Sequence, residues 1–260
     1  MTKRWVARCS VLVLGLALAG CGWPWARRER VQAYVVHSAE TACQELIRQF
    51  RKERGIRVDA SYGCRRSLYE TLRENRDGDI YISSSKTNLA RARNEDIGAG
   101  PVVAFGELLP VIVVARGNPK QIATVGDLAR PGVRVCLGAE KSCIGAVADK
   151  ILLKNKLTGK IAPNVVKRLR RAEAVARSVD GKAIDAAIVW LSTVRDLGSR
   201  RVDAVPIPAE HSVVEPLCFV VLRTGKKRAE AEQLGYFLQS ERAKETLTEA
   251  GLLRPKGGAF

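Results

Sequence analysis

Between residues 31 and 84 the chain reads strand, helix, strand, helix, strand, and that order admits little besides an α/β sheet. Val31–Val36 is an apolar run that breaks at His37-Ser38, and a helical pattern follows from Glu40 to about Lys52. Ile56–Tyr62 repeats the strand signal, breaks at Gly63-Cys64-Arg65, and gives way to a helix over Ser67–Glu74. Asp79-Ile80-Tyr81-Ile82 closes the set and ends in Ser83-Ser84. In a parallel α/β sheet the carboxyl ends of neighbouring strands face one crevice, where ligands bind. A helix start at such a corner offers unpaired backbone N–H groups and about half a positive charge. Two corners of this kind, one with Ser38 and one with Arg65, predict an anion site.

The remainder continues the alternation. Leu108–Ala115 is an unbroken apolar run, as expected of a strand buried on both faces. Val125–Ala129 reads as one helical turn and Val133–Leu137 as a strand. Gly138-Ala139-Glu140-Lys141-Ser142-Cys143-Ile144-Gly145 is then a third strand-to-helix corner, its helix running to about Lys154. Basic helices are expected around Val165–Arg171 and Ala172–Val179, and strands at Ala183–Trp190, Val202–Ile207 and Val214–Leu222. Two amphipathic helices, Lys227–Leu238 and Ser240–Ala250, end the chain. This order suits two lobes: residues 31–107 with 217–260, and residues 108–216. The crossovers fall near Phe105–Leu109 and Glu215–Leu217, and the terminal helices return to the first lobe.

Ahead of the fold stands an address. Lys3, Arg4 and Arg8 precede the apolar stretch Val11–Ala19, which is short for a membrane span. Leu18-Ala19-Gly20-Cys21 looks like the lipobox of bacterial lipoproteins, which implies a signal peptide over 1–20, cleavage before Cys21, and lipid on that cysteine. Residues 21–30 then form a tether at a membrane. Gly22 rather than Asp follows the cysteine, so the outer membrane is the expected anchor site. The basic excess, +17 overall, would steer anions towards the surface and suit anionic headgroups. Nucleic acid is not an expected partner, because an exported lipoprotein does not meet it and the charges are spread along the chain.

Longer blocks carry a family resemblance. Phe50-Arg51-Lys52-Glu53-Arg54-Gly55, Asp79-Ile80-Tyr81-Ile82-Ser83, Val114-Ala115-Arg116-Gly117-Asn118-Pro119, Pro131 to Gly138 and Asp185-Ala186-Ala187-Ile188-Val189-Trp190, in that order, resemble the periplasmic molybdate-binding proteins of ABC importers. The resemblance runs from Val31 to Leu253. It implies a two-lobed class II periplasmic-binding-protein fold with two hinge crossovers, a small oxyanion held between the lobes by neutral donors, no cofactor, and a monomer that docks on an ABC permease. Carried across by position, Ser38 matches the first-corner serine. Arg65 stands where the second-corner serine is expected, with Cys64 before it. Ile144 falls at a backbone donor, with Cys143 in the preceding proline position. Val175 matches a donor at a helix start. Trp190 replaces a tyrosine. Two of these departures remove hydroxyls, and Arg65 adds a full charge and up to five donors.

Ser38 can instead be read as a helix cap, Arg65 as a surface residue, Trp190 as core, and His37 as structural. Of seven cysteines, five (Cys43, Cys64, Cys136, Cys143, Cys218) lie beyond the leader. Cys64 and Cys143 fall on corners of opposite lobes, so an alternative ligand is a thiophilic solute such as a copper ion or arsenite. Another alternative is a sensory protein that presents its ligand to a receptor. An enzyme is not expected: a nucleophile needs a base in reach, and His37 and His211 complete no triad.

Overall fold

The computed structural model describes residues 30–198 and 201–254; the expected signal sequence and Cys21 lie outside them. In chain order the strands are β1 (Val31–Val36), β2 (Val58–Gly63), β3 (Ile80–Ser83), β4 (Val103–Leu108), β5 (Pro110–Ala115), β6 (Val135–Gly138), β7 (Val165–Leu169), β8 (Ala186–Trp190), β9 (Val202–Pro206) and β10 (Glu215–Val221). They form two sheets, β2-β1-β3-β10-β4 and β7-β6-β8-β5-β9, one per lobe. β1 runs parallel to β2 and β3, while β10 lies antiparallel to β3 and β4. The second sheet follows the same plan, with β6 parallel to β7 and β8 and β5 antiparallel to β8 and β9. The chain passes between sheets at Leu109 and again over residues 207–214, so the fold is a two-lobed α/β binding-protein architecture with two crossovers.

The helices are α1 (Glu40–Arg54), α2 (Arg65–Asn75), α3 (Lys86–Asn94), α4 (Cys143–Lys154), α5 (Thr158–Ile161), α6 (Ala172–Arg177), α7 (Leu191–Leu197), α8 (Arg228–Leu238) and α9 (Glu241–Glu249). α1 shows how they are held. Ala42, Cys43, Leu46 and Phe50 fall on one face at helical spacing and are buried. Phe50 meets Phe237 of α8 with ring centroids 5.5 Å apart. Burying a side chain such as Leu46 or Phe50 is worth about 2 kcal/mol. Gly55, left-handed at φ 70°, ends the helix and donates its N–H to the Arg51 carbonyl at 2.9 Å. α8 and α9 both pack on α1, so the C-terminal segment belongs to the first lobe's core.

Three expectations need correction. Val165–Arg171 is not a basic helix: Val165–Leu169 is β7, an edge strand paired only to β6. Its basic residues look solvated for a different reason, since charged edges also discourage pairing with other chains. The apolar run Leu108–Ala115 is two strands in two sheets, because the crossover sits inside it. Helices α3 and α7 were not foreseen. α3 does carry a start signal, Ser85, whose hydroxyl accepts the Asn88 N–H at 3.2 Å.

Candidate functional site

All three predicted corners open onto one cleft between the lobes, with a volume of about 1270 Å³. At the first corner β1 turns through a short 3-10 segment, His37–Ala39, into α1. Ser38 does not cap that helix, whose N-cap is Ala39 and carries no side-chain bond. The Ser38 hydroxyl is buried and has no hydrogen-bond partner. Its carbonyl accepts the Ser192 hydroxyl at 3.4 Å, which ties this corner to α7 of the second lobe. His37 lines the cleft as well, with Nδ1 2.7 Å from Glu40 and Nε2 3.9 Å from Glu173.

At the second corner both Arg65 and Cys64 have partners among the protein's own side chains. Arg65 opens α2 and reaches across the cleft, where its Nε donates to Cys143 Sγ at 3.2 Å. Its Nη1 pairs with Glu215 at 2.7 Å. Glu215, only 8% exposed, also accepts from Ser84 at 3.5 Å and lies 3.8 Å from Lys150 of α4. Burial disfavours the guanidinium's charge, but Cys143 and Glu215 outweigh it and hold its pKa above the ordinary value. Cys64 is exposed with Sγ 3.1 Å from the Ser67 hydroxyl, and that contact, with the local backbone N–H groups, lowers its thiol pKa.

The third corner brings a free helix start to the same place. Ser142 caps α4 by accepting the Gly145 N–H at 3.1 Å. The N–H groups of Cys143 and Ile144 remain without intrahelical partners. Gly145 is required here, because a Cβ at that position would run into the Ala139 carbonyl. A loop that tight lets the β6 end lie directly against the helix start.

The remaining predicted residues divide. Trp190 ends β8 at the hinge, opposite Pro110, and is both buried and part of the cleft wall. Val175 is elsewhere: it is fully buried, its N–H donates to the Arg171 carbonyl at 3.0 Å, and it does not line the cleft. Ala172 and Glu173, half-buried at the start of α6, line it instead. Cys64 and Cys143 line the same cleft but hold different partners, and all five described cysteines are free thiols. Among the described residues no group of three or more His, Cys, Asp or Glu side chains is placed to hold a metal ion.

Sequence reading missed Glu215, the partner of Arg65, and the balance of charge around them. Eight Lys and Arg residues line the cleft against four Asp and Glu. It also missed Tyr81, a fully buried side chain beneath the second corner. The Tyr81 hydroxyl lies beside Ser83 and Asn88 without a hydrogen bond of normal geometry, and burial raises its pKa.

Residues 31–253 match the family of bacterial extracellular solute-binding proteins. Over 97% of this chain and the whole of the relative, the sequence is 23% identical to the molybdate-binding protein ModA of Mycobacterium tuberculosis. The fold matches the substrate binding domain of a molybdenum ABC transporter from Clostridium difficile with a TM-score of 0.76 at 17% identity, covering 87% of this chain and 99% of that one. It matches L-phospholactate-bound PEB3 of Campylobacter jejuni with a TM-score of 0.70 at 20% identity, covering 86% and 100%. At these identities the structural matches speak for the fold.

Proposed function

The chain belongs to the bacterial extracellular solute-binding proteins, a family of binders rather than enzymes, and from that premise we propose that it is the solute-capturing component of an ABC importer. Its solute carries a tetrahedral oxyanion of the molybdate or tungstate kind, held between the lobes. The observation that carries this reading is the buried, unpartnered Ser38 hydroxyl in the cleft wall. A buried polar atom left unsatisfied costs about 1–3 kcal/mol, and an anion that accepts from the Ser38 hydroxyl would recover that cost. The free N–H groups at the start of α4 and the cationic lining favour an anion as the filler.

Residues 31–107 with 217–260, and 108–216, are taken to move as two units. A ligand that touches both stabilises the closed form by its additional contacts there, and the closed form is what the permease reads. Cys21 is the lipid attachment site and the outer membrane the anchor. Metabolic labelling with a radioactive fatty acid, compared between the native chain and Cys21→Ser, tests the anchor: equal labelling of both rules it out.

A thermal-shift screen tests the ligand class. Molybdate, tungstate, sulfate, phosphate or arsenate is expected to raise the melting temperature, and Ser38→Ala to abolish most of that rise. If none of these anions shifts the melt, while arsenite or Cu(I) does, the oxyanion reading falls and the thiols at Cys64 and Cys143 become the site.

A further inference from the structure

We infer that the ligand is an organic polyanion, a small carbon skeleton with an oxyanion head and at least one more negative group, rather than a bare tetrahedral ion. The inference rests on the oxyanion reading above and goes on to size and charge. Contacts already join the lobes, among them Arg65 to Cys143 at 3.2 Å, Thr41 to Asp196 at 3.1 Å, and Ser192 to the Ser38 carbonyl at 3.4 Å. The cleft that remains with these made holds about 1270 Å³. A tetrahedral oxyanion takes up roughly the share of two or three water molecules, under ~100 Å³. The remaining space exceeds what a whole organic ligand needs, about 300–1,000 Å³.

Charge divides the cleft the same way. Arg65, in contact with Cys143 at the start of α4, is already neutralised by Glu215, so the inner site offers mostly neutral donors. Arg66 of the first lobe and Lys141, Arg170 and Arg171 of the second also line the cleft, and none has an ion-pair partner among the described residues. On a basic chain, single unpaired cations are ordinary. Four that face one cleft from both lobes form a second anion subsite beyond the first. Tyr62 and Trp190 supply apolar wall, which a carbon skeleton uses and a bare oxyanion does not.

Calorimetric titration of the full chain tests this with two sets of probes. One set is molybdate, sulfate and inorganic phosphate; the other is 3-phosphoglycerate, phosphoenolpyruvate and citrate. At least one organic anion is expected to bind ten-fold or more tightly than every bare ion. The pair of changes Arg66→Gln and Arg170→Gln should then remove that advantage, weakening the organic anion at least five-fold more than inorganic phosphate. Bare ions that bind as tightly as the organic ones overturn this inference and leave the oxyanion reading intact. Silence from both sets overturns the oxyanion reading itself, and this inference with it. An organic advantage that survives the double substitution overturns the cationic subsite.

Discussion

The first and second corners share one frame, strand, turn and helix start on the same crevice, yet they are finished in opposite ways. At the first, Ser38 keeps a buried hydroxyl with nothing to bond. At the second, Arg65 has a carboxylate and a thiol, and Cys64 has Ser67. The first corner leaves a side-chain donor without a protein partner, and the second gives Arg65 and Cys64 protein partners. The difference separates two jobs that position alone would have merged. In the proposed reading Ser38 is the side that meets a solute, whereas Arg65 bonds Cys143 and Glu215 across the cleft.

The sharpest way to break this contrast is to remove Arg65. Arg65→Ala leaves Glu215 buried with only Lys150 and Ser84 near it, and losing one partner of a buried pair costs about 3–5 kcal/mol. Arg65 is 20% exposed at its side chain, which favours the lower part of that range or slightly below it. Equilibrium denaturation should show a fall of about 2–4 kcal/mol, and adding Glu215→Gln should restore much of it. A fall below about 0.5 kcal/mol would mean that the pair is ornamental and that Arg65 is free to serve a ligand.

Ser38→Ala should do the reverse. No hydrogen bond is lost in the unliganded protein, so its stability should hold or rise slightly, while anion affinity drops about ten-fold, near 1.4 kcal/mol. If Ser38→Ala destabilises the empty protein as Arg65→Ala does, the corners are alike and the contrast fails.

How much of this was legible in advance follows from the range of each signal. β1, β3 and β8 lie within a few residues of their expected places because their apolar runs end at Ser, Gly or Trp-Leu boundaries that also end the pairing. β7 was misread because an edge strand solvated on both faces alternates weakly, and Val165-Val166-Lys167-Arg168 then resembles a wet helix face. Ser38, Cys64, Arg65, Cys143, Ile144 and Trp190 all line the cleft, since each sits at a turn that topology alone delivers there. Val175 does not, because a helix start is fixed by which N–H groups are free, and Arg171 takes that one. Glu215 had no local signal at all. It stands 150 residues from Arg65, and only the return of β10 beside β3 brings them together.

The smallest expected effect reads the same contrast through its thiols. Cys43 lies on α1, just past the first corner, wholly buried, and burial pushes its pKa up to about 12. Cys64, at the second corner, is exposed, and the Ser67 hydroxyl with nearby backbone N–H groups lowers its pKa. Only the thiolate reacts, so a lowered pKa moves the onset of labelling to lower pH and a raised one moves it higher. Labelling of the folded protein with iodoacetamide should therefore reach Cys64 first and leave Cys43 untouched until the protein unfolds. Ser67→Ala removes the largest cause of the shift and should displace the Cys64 rate profile to higher pH, slowing labelling several-fold at neutral pH. If that profile does not move, the Ser67 contact does not govern the thiol, and the second corner is less closed on itself than its geometry implies.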